Sequence, residues 1–163
     1  MKQNSSIKER ILHPGQSAKA APKVKARDTA ADKAEECAEE LDERICTALR
    51  AASDKKALDM VVLDLREIAS FTDYFLITSG TNVRQVQAIA DEVVEQLKKE
   101  DTRAARVEGY NTAEWVLVDY GDFIVHVFED KARKFYDLER LWRDAARVAL
   151  PADLASGEGS LRK

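Results

Sequence analysis

Histidine is almost missing from this chain of 163 residues, with two in all. His13 stands in a polar N-terminal stretch and His126 in an apolar run, so no His pair can hold a metal. Cysteine is as scarce, and neither Cys37 nor Cys46 neighbours a base that would make it a nucleophile. The two lie nine residues apart within a helical pattern, at different angles around the helix and without Cys-x-x-Cys spacing, so reduced structural thiols are expected. No apolar run approaches the ~18 residues that a membrane span needs, and no h-region follows the basic N-terminus. A soluble, unsecreted protein with no membrane contact is expected. The phosphate-binding patterns G-x-x-x-x-G-K-[ST] and G-x-G-x-x-G are also absent, and no cofactor is expected.

Charge of one sign is unevenly placed. Residues 1–27 hold seven Lys or Arg against one acid, a net +6, so the rest carries −10 of the total −4. A body that acidic repels phosphate backbones and favours a basic protein partner. Residues 1–31, Lys- and Ala-rich and broken by Pro14-Gly15 and Pro22, read as a disordered basic tail in loose contact with RNA. Their low acid content also fits an organelle transit peptide, the alternative to a cytoplasmic location. Residues 32–150 form one domain, and 151–163, with Pro151 and Gly157-Glu158-Gly159, a flexible C-terminal tail.

Within the domain, Cys37, Leu41, Ile45, Ala48, Leu49 and Ala52 recur at helical steps, predicting one amphipathic helix from Asp32 to about Ser53. Met60–Leu65 and Tyr74–Ser79 read as strands. Asn82 caps the next helix, with Gln85 three residues on as in a capping box, and Val83, Val86, Ile89, Ala90, Val93, Val94 and Leu97 form its apolar stripe. A short strand near 105–108 follows, then a hairpin, then a helix beginning after Asp130 that buries Phe135, Leu138, Leu141 and Trp142. The order implies an α/β domain with a mixed sheet and helices packed against it.

The hairpin is the most informative stretch. Trp115–Phe128 has two β-branched and aromatic runs around Asp119-Tyr120-Gly121-Asp122. With Tyr120 and Gly121 as the loop, Trp115 falls opposite His126, Leu117 opposite Ile124, and Asp119 opposite Asp122. One face then carries Val116, Val118, Phe123, Val125 and Val127, which must lie under helices. The other carries Trp115, Leu117, Ile124, His126 and Phe128, and is the face expected to meet a partner. His126 reads as a packing or contact residue, because proton transfer would need a companion acid or nucleophile. Asp119 and Asp122 suit local turn bonding. Thr78-Ser79-Gly80-Thr81 could cradle a phosphate at a helix N-terminus, but one glycine is no phosphate loop. Asp73, Tyr74 and Arg84 are expected to cluster beside that turn, as rim or contact residues.

Several blocks together resemble a known family: Leu63-Asp64-Leu65; Thr72 through Thr81; Arg84-Gln85-Val86-x-Ala88-Ile89-Ala90-Asp91; Glu108-Gly109; Trp115 through Asp122; Val125-His126-Val127-Phe128; and Phe135 through Trp142. In this order, over about Glu40 to Trp142, the chain resembles the ribosomal silencing factor family, also called Iojap-related proteins. The resemblance implies a nucleotidyltransferase-like α/β fold without the catalytic motif. The Gly-Ser followed by a spaced Asp-x-Asp pair is absent here. It further implies a non-enzymatic factor that binds the large-subunit ribosomal protein uL-fourteen and sterically blocks joining of the small subunit, lowering translation when nutrients are scarce. Organellar relatives act in large-subunit assembly. The long basic N-terminal tail and short C-terminal one depart from the family.

On this reading Trp115 is the aromatic anchor of the partner contact and Leu117 its apolar surround, with His126 and Arg84 beside them. Glu108, Asp73, Asp119 and Asp122 supply the acidic complement to a basic ribosomal surface. Whether the free protein pairs as a homodimer through the same face is left open. The competing reading from another class is a nucleotide-binding or nucleotidyl-transferring enzyme that uses the Ser79-Gly80 turn and the turn carboxylates.

Overall fold

The computed structural model describes residues 7–12, 37 and 41–154, and at its centre lies strand β2, Tyr74–Gly80, buried at every position. A strand with no polar face needs cover on both sides. The six-stranded sheet runs β3-β4-β5-β2-β1-β6, with β1 at Leu58–Asp64, β3 at Arg106–Glu108, β4 at Trp115–Asp119, β5 at Phe123–Glu129 and β6 at Ala146–Val148. β2 and β5 are parallel, and the other pairs antiparallel. This is the expected mixed sheet packed with helices.

Alternation divides the sheet into two apolar layers. Val62, Leu76, Val116, Val118, Phe123, Val125 and Val127 face helices α2, Glu43–Asp54, and α3, Val83–Lys99. Leu63, Phe75, Ile77, Trp115, Leu117, Ile124 and Phe128 form the other layer. It is covered by α1, Ile7–Leu12, by α4, Asp130–Tyr136, and by α5, Leu138–Leu141, with Trp142. The face expected to be open to a partner is therefore largely closed.

Several features differ from expectation. The hairpin loop is Gly121-Asp122, because Tyr120, just past the end of β4, closes the turn against Phe123: its N–H donates to the Phe123 carbonyl at 2.9 Å, and its ring stacks on Phe123 at 4.9 Å. Gly121 takes φ +88°, and Asp122 is not among the positive-φ residues, as in a type II′ turn. Register thus shifts by two, putting Trp115 opposite Phe128 and Leu117 opposite His126. An even shift leaves each side chain on its expected face.

The helix expected from Asp32 does not run unbroken to Ser53. Asp42 caps α2, accepting from the Arg44 N–H at 2.8 Å, and has extended φ/ψ. Cys37 lies before that break and is joined to Cys46 by a disulfide with Cα atoms 6.0 Å apart. Nine residues of one continuous helix would span about 13.5 Å, so it is the interruption that brings the cysteines together. The expectation of free thiols is corrected accordingly.

The last helix is also broken. Asp137 takes φ +48°, which ends α4, and the stripe does not continue through it. Leu138 and Trp142 are buried as expected, whereas Phe135 and Leu141 are 78% and 42% exposed. The chain then adds β6 against β1, a strand with no counterpart in the sequence reading. At the ends, Ile7–Leu12 is a packed helix inside what was read as a disordered tail, and Leu154 is buried in the first layer although it was assigned to the flexible C-terminal tail. The remainder of residues 1–31, including His13, lies outside the described residues, as do residues 155–163.

Candidate partner-binding surface

Trp115 opens β4 at the sheet end where β2 and β5 terminate. Its ring stacks on Phe128 at 5.1 Å and lies 4.7 Å from Tyr136, which in turn meets Phe135 edge-on at 4.9 Å. These rings form a continuous row from the closed interior to the open Phe135. The Trp115 indole N–H donates to His126 Nδ1 at 3.0 Å. The proton of the neutral imidazole is thereby assigned to Nε2, which is buried and finds no hydrogen-bond partner among the described residues. Burial, aided by the Lys8 charge, pushes the His126 pKa down to about 3. The ring is a neutral packing group buried in the second layer.

Lys8, from α1, lies over this site. Its ammonium donates to the Trp115 carbonyl at 3.0 Å and stands 4.6 Å from the indole centroid. Burial lowers the Lys8 pKa, and the charges of Glu108 and Glu114 push it back up. Gly109, at φ +79°, allows the β3–β4 connection to pass close by, since a Cβ there would run into the Trp115 carbonyl oxygen. Lys8, Glu114 and Tyr136 were not expected from sequence to be contact residues, and Phe135 was expected to be buried. The only signal for α1 was Ile7 and Ile11 at helical spacing within a polar stretch.

The other candidate residues fall elsewhere. Glu108 pairs with Leu117 across β3 and β4, near Trp115, but Leu117 itself is wholly buried. Asp73, Asp119 and Asp122 gather at the opposite end, around the hairpin turn. Asp73 N–H donates to the Asp122 carbonyl at 2.9 Å, the Asp119 carboxylate accepts from Gly121 N–H at 2.8 Å, and Asp122 accepts from Arg44 at 2.9 Å. Arg44 is thereby raised above its ordinary pKa, chiefly through its bonds to Asp42. Asp73 and Arg84 do not cluster. The whole of β2 separates them, and seven strand residues span roughly 20 Å.

That separation also bears on nucleotide chemistry. Asp122 precedes Phe123, which pairs with Tyr74, while Ser79 pairs with Phe128. The carboxylates and the Ser79-Gly80 turn are thus at opposite ends of the sheet. The α3 N-terminus is filled by its own chain: Asn82 accepts from Gln85 N–H at 2.9 Å, and Gln85 Oε1 accepts from Thr81 N–H at 2.8 Å. Ser79 Oγ bonds the buried Arg133 at 3.2 Å, and Arg133 is paired to Glu139. The cleft beside Arg133 brings Asp59, Asp130, Asp137 and Glu139 against Arg133, Lys134 and Arg147, a balance unsuited to phosphate. Among the described residues, no cluster of His, Cys, Asp and Glu could hold a metal.

Known proteins share this sequence pattern and this fold. A family model described as "Ribosomal silencing factor during starvation" matches residues 38–161. Ribosomal silencing factor RsfS of Halalkalibacterium halodurans is 45% identical over 103 residues, 63% of this chain and 88% of that protein. The mouse protein named "Mitochondrial assembly of ribosomal large subunit protein 1" is 32% identical over 91 residues, 54% of this chain and 40% of its own length. A crystal structure of a Bacillus halodurans protein superposes with TM-score 0.61 and 41% identity, matching 68% of this chain and all of that one.

Proposed function

This chain belongs to the ribosomal silencing factor family, and from that premise we propose that it represses translation without catalysing a reaction. It binds the large-subunit protein uL-fourteen and occupies the ground on which the small subunit docks, acting in the cytoplasm when nutrients are limiting. The observation that carries this reading is the row of rings from Trp115 through Tyr136 to the 78%-exposed Phe135, flanked by the carboxylates Glu108 and Glu114. Aromatic anchors with a charged rim suit a protein surface, and acidic rims suit a basic one. The mouse relative's name, with its large ribosomal subunit, supports the choice of subunit.

Sucrose-gradient sedimentation tests the proposal. Added to dissociated ribosomal subunits, the protein should travel with the large subunit and reduce the reassociated fraction. Equal recovery with small subunits, or undiminished reassociation at saturation, would sink it.

A further inference from the structure

α1 lies outside the domain that the family model matches, since Ile7–Leu12 precedes residue 38. It is nonetheless fastened to the aromatic end of the second layer at several points. Ile11 is wholly buried in the layer that holds Phe75, Trp115 and Trp142. Its carbonyl accepts from the Trp142 indole N–H at 3.0 Å. Arg10 stands 6.0 Å from the Phe71 ring centroid, and Lys8 lies over Trp115 while bonding its carbonyl. A six-residue helix does not persist alone in water. Docking is what orders it, and no strand pair of the sheet includes it.

Lys8 shows what this place on the surface selects. An aromatic face, a backbone carbonyl and the field of Glu108 and Glu114 converge on its ammonium, and each of these favours a cation. A basic partner reaching Trp115 would need the same volume and would bring the same chemistry. We propose that Ile7–Leu12 is an internal competitor for the ribosomal contact surface, with Lys8 occupying the position of a cation on the partner and Ile11 that of an apolar anchor. The inference rests on the functional reading above. Because the segment is covalently tethered, it competes as an intramolecular ligand and needs only modest intrinsic affinity to stay closed.

The test uses full-length protein and purified large ribosomal subunits at fixed salt. Ile11→Asp removes the buried anchor, and Lys8→Glu reverses the cation while sparing the core. Each variant should bind large subunits about fivefold more tightly than the unaltered chain, the factor expected when a cover is closed four-fifths of the time. A peptide of residues 1–14 in excess should bring the Ile11→Asp protein back to the weaker affinity. In the unaltered protein, amide hydrogen exchange at Ile7–Leu12 should speed up when large subunits bind. This last measurement needs no substitution, so a misfolded variant does not rescue the idea. Unchanged or weaker binding by both variants, or exchange at Ile7–Leu12 that slows in the complex, overturns the competition alone and makes α1 a bystander or part of the contact. Failure of every chain to bind large subunits overturns the functional reading, and the competition with it.

Discussion

Trp115 and Phe135 stand at the two ends of one row of rings, and their exposures, 3% and 78%, assign them different energetic roles. Trp115→Ala removes a ring packed on Phe128 and Tyr136 and strands the His126 acceptor, so folding stability should fall by roughly 3–5 kcal/mol in denaturant titration. Phe135→Ala should change stability by less than about 0.5 kcal/mol, yet cost on the order of 2 kcal/mol in large-subunit binding if it is an anchor. A Phe135 variant that binds normally would move the contact away from this sheet end. His126 carries a second expectation. Its pKa is the ordinary 6.5 when unfolded and about 3 when folded, so the unfolded chain holds the extra proton between those values. Stability is therefore full above pH 6.5 and declines as pH falls through that window, by up to about 1.4 kcal/mol per unit. Relative to the parent chain, His126→Gln, which keeps an acceptor for Trp115 and cannot titrate, should flatten the acid limb of a stability-versus-pH curve.

At the scale of the element, two glycines with positive φ separate conformation from crowding. Gly121, at φ +88°, has nothing within 4 Å of where a Cβ would sit, so Gly121→Ala should cost only about 1 kcal/mol. Gly109→Ala adds a collision with the Trp115 carbonyl oxygen to the same conformational cost, and its melting temperature should drop several degrees further. Equal melting temperatures would mean that the β3–β4 connection relaxes freely. The same hairpin shows how far local sequence reaches. Alternation assigned every side chain of β4 and β5 to its proper face. The pairing was missed by two residues because Tyr120 bonds and stacks on Phe123, which moves the two-residue turn on to Gly121-Asp122. In α3 the Asn82 cap was legible, since caps act within four residues and need no distant partner, and so was the stripe from Val86 to Leu97, whereas Val83, expected in it, is 42% exposed.

At the scale of the whole molecule, the Cys37–Cys46 disulfide ties the segment before Asp42 to α2 within the first apolar layer. Closing so short a loop contributes about 2–3 kcal/mol by chain entropy, so reductant should lower the unfolding midpoint by a corresponding amount. A midpoint indifferent to reductant would show that the thiols are free in solution. The opposite layer is closed partly by residues that the sequence placed in a tail: Lys8 and Arg10, two of the cations expected to touch RNA, are engaged on Trp115 and Phe71. The acidic groups likewise divide, with Glu108 and Glu114 near Trp115, and Asp119 and Asp122 holding the hairpin turn at the other end.

Periodicity, turn chemistry and colinear motifs by themselves determined the mixed α/β class, the strands β1 to β5, the α3 helix and the family. All of these rest on contacts between near neighbours in sequence or on residue order. Tertiary structure alone decided the cover over the second layer, the exposure of Phe135, the β6 strand and the disulfide. The cover and β6 depend on surfaces that meet across long separations: Ile11 reaches Trp142 over 131 residues, and a six-residue helix or three-residue strand has too little local preference to announce itself. The disulfide and the open Phe135 follow instead from helix breaks at Asp42 and Asp137 that the apolar period does not reveal. Trp115, 3% exposed, is closed in by Phe128, Tyr136 and Lys8 from three separate elements, because burial belongs to the assembled surface and not to the residue.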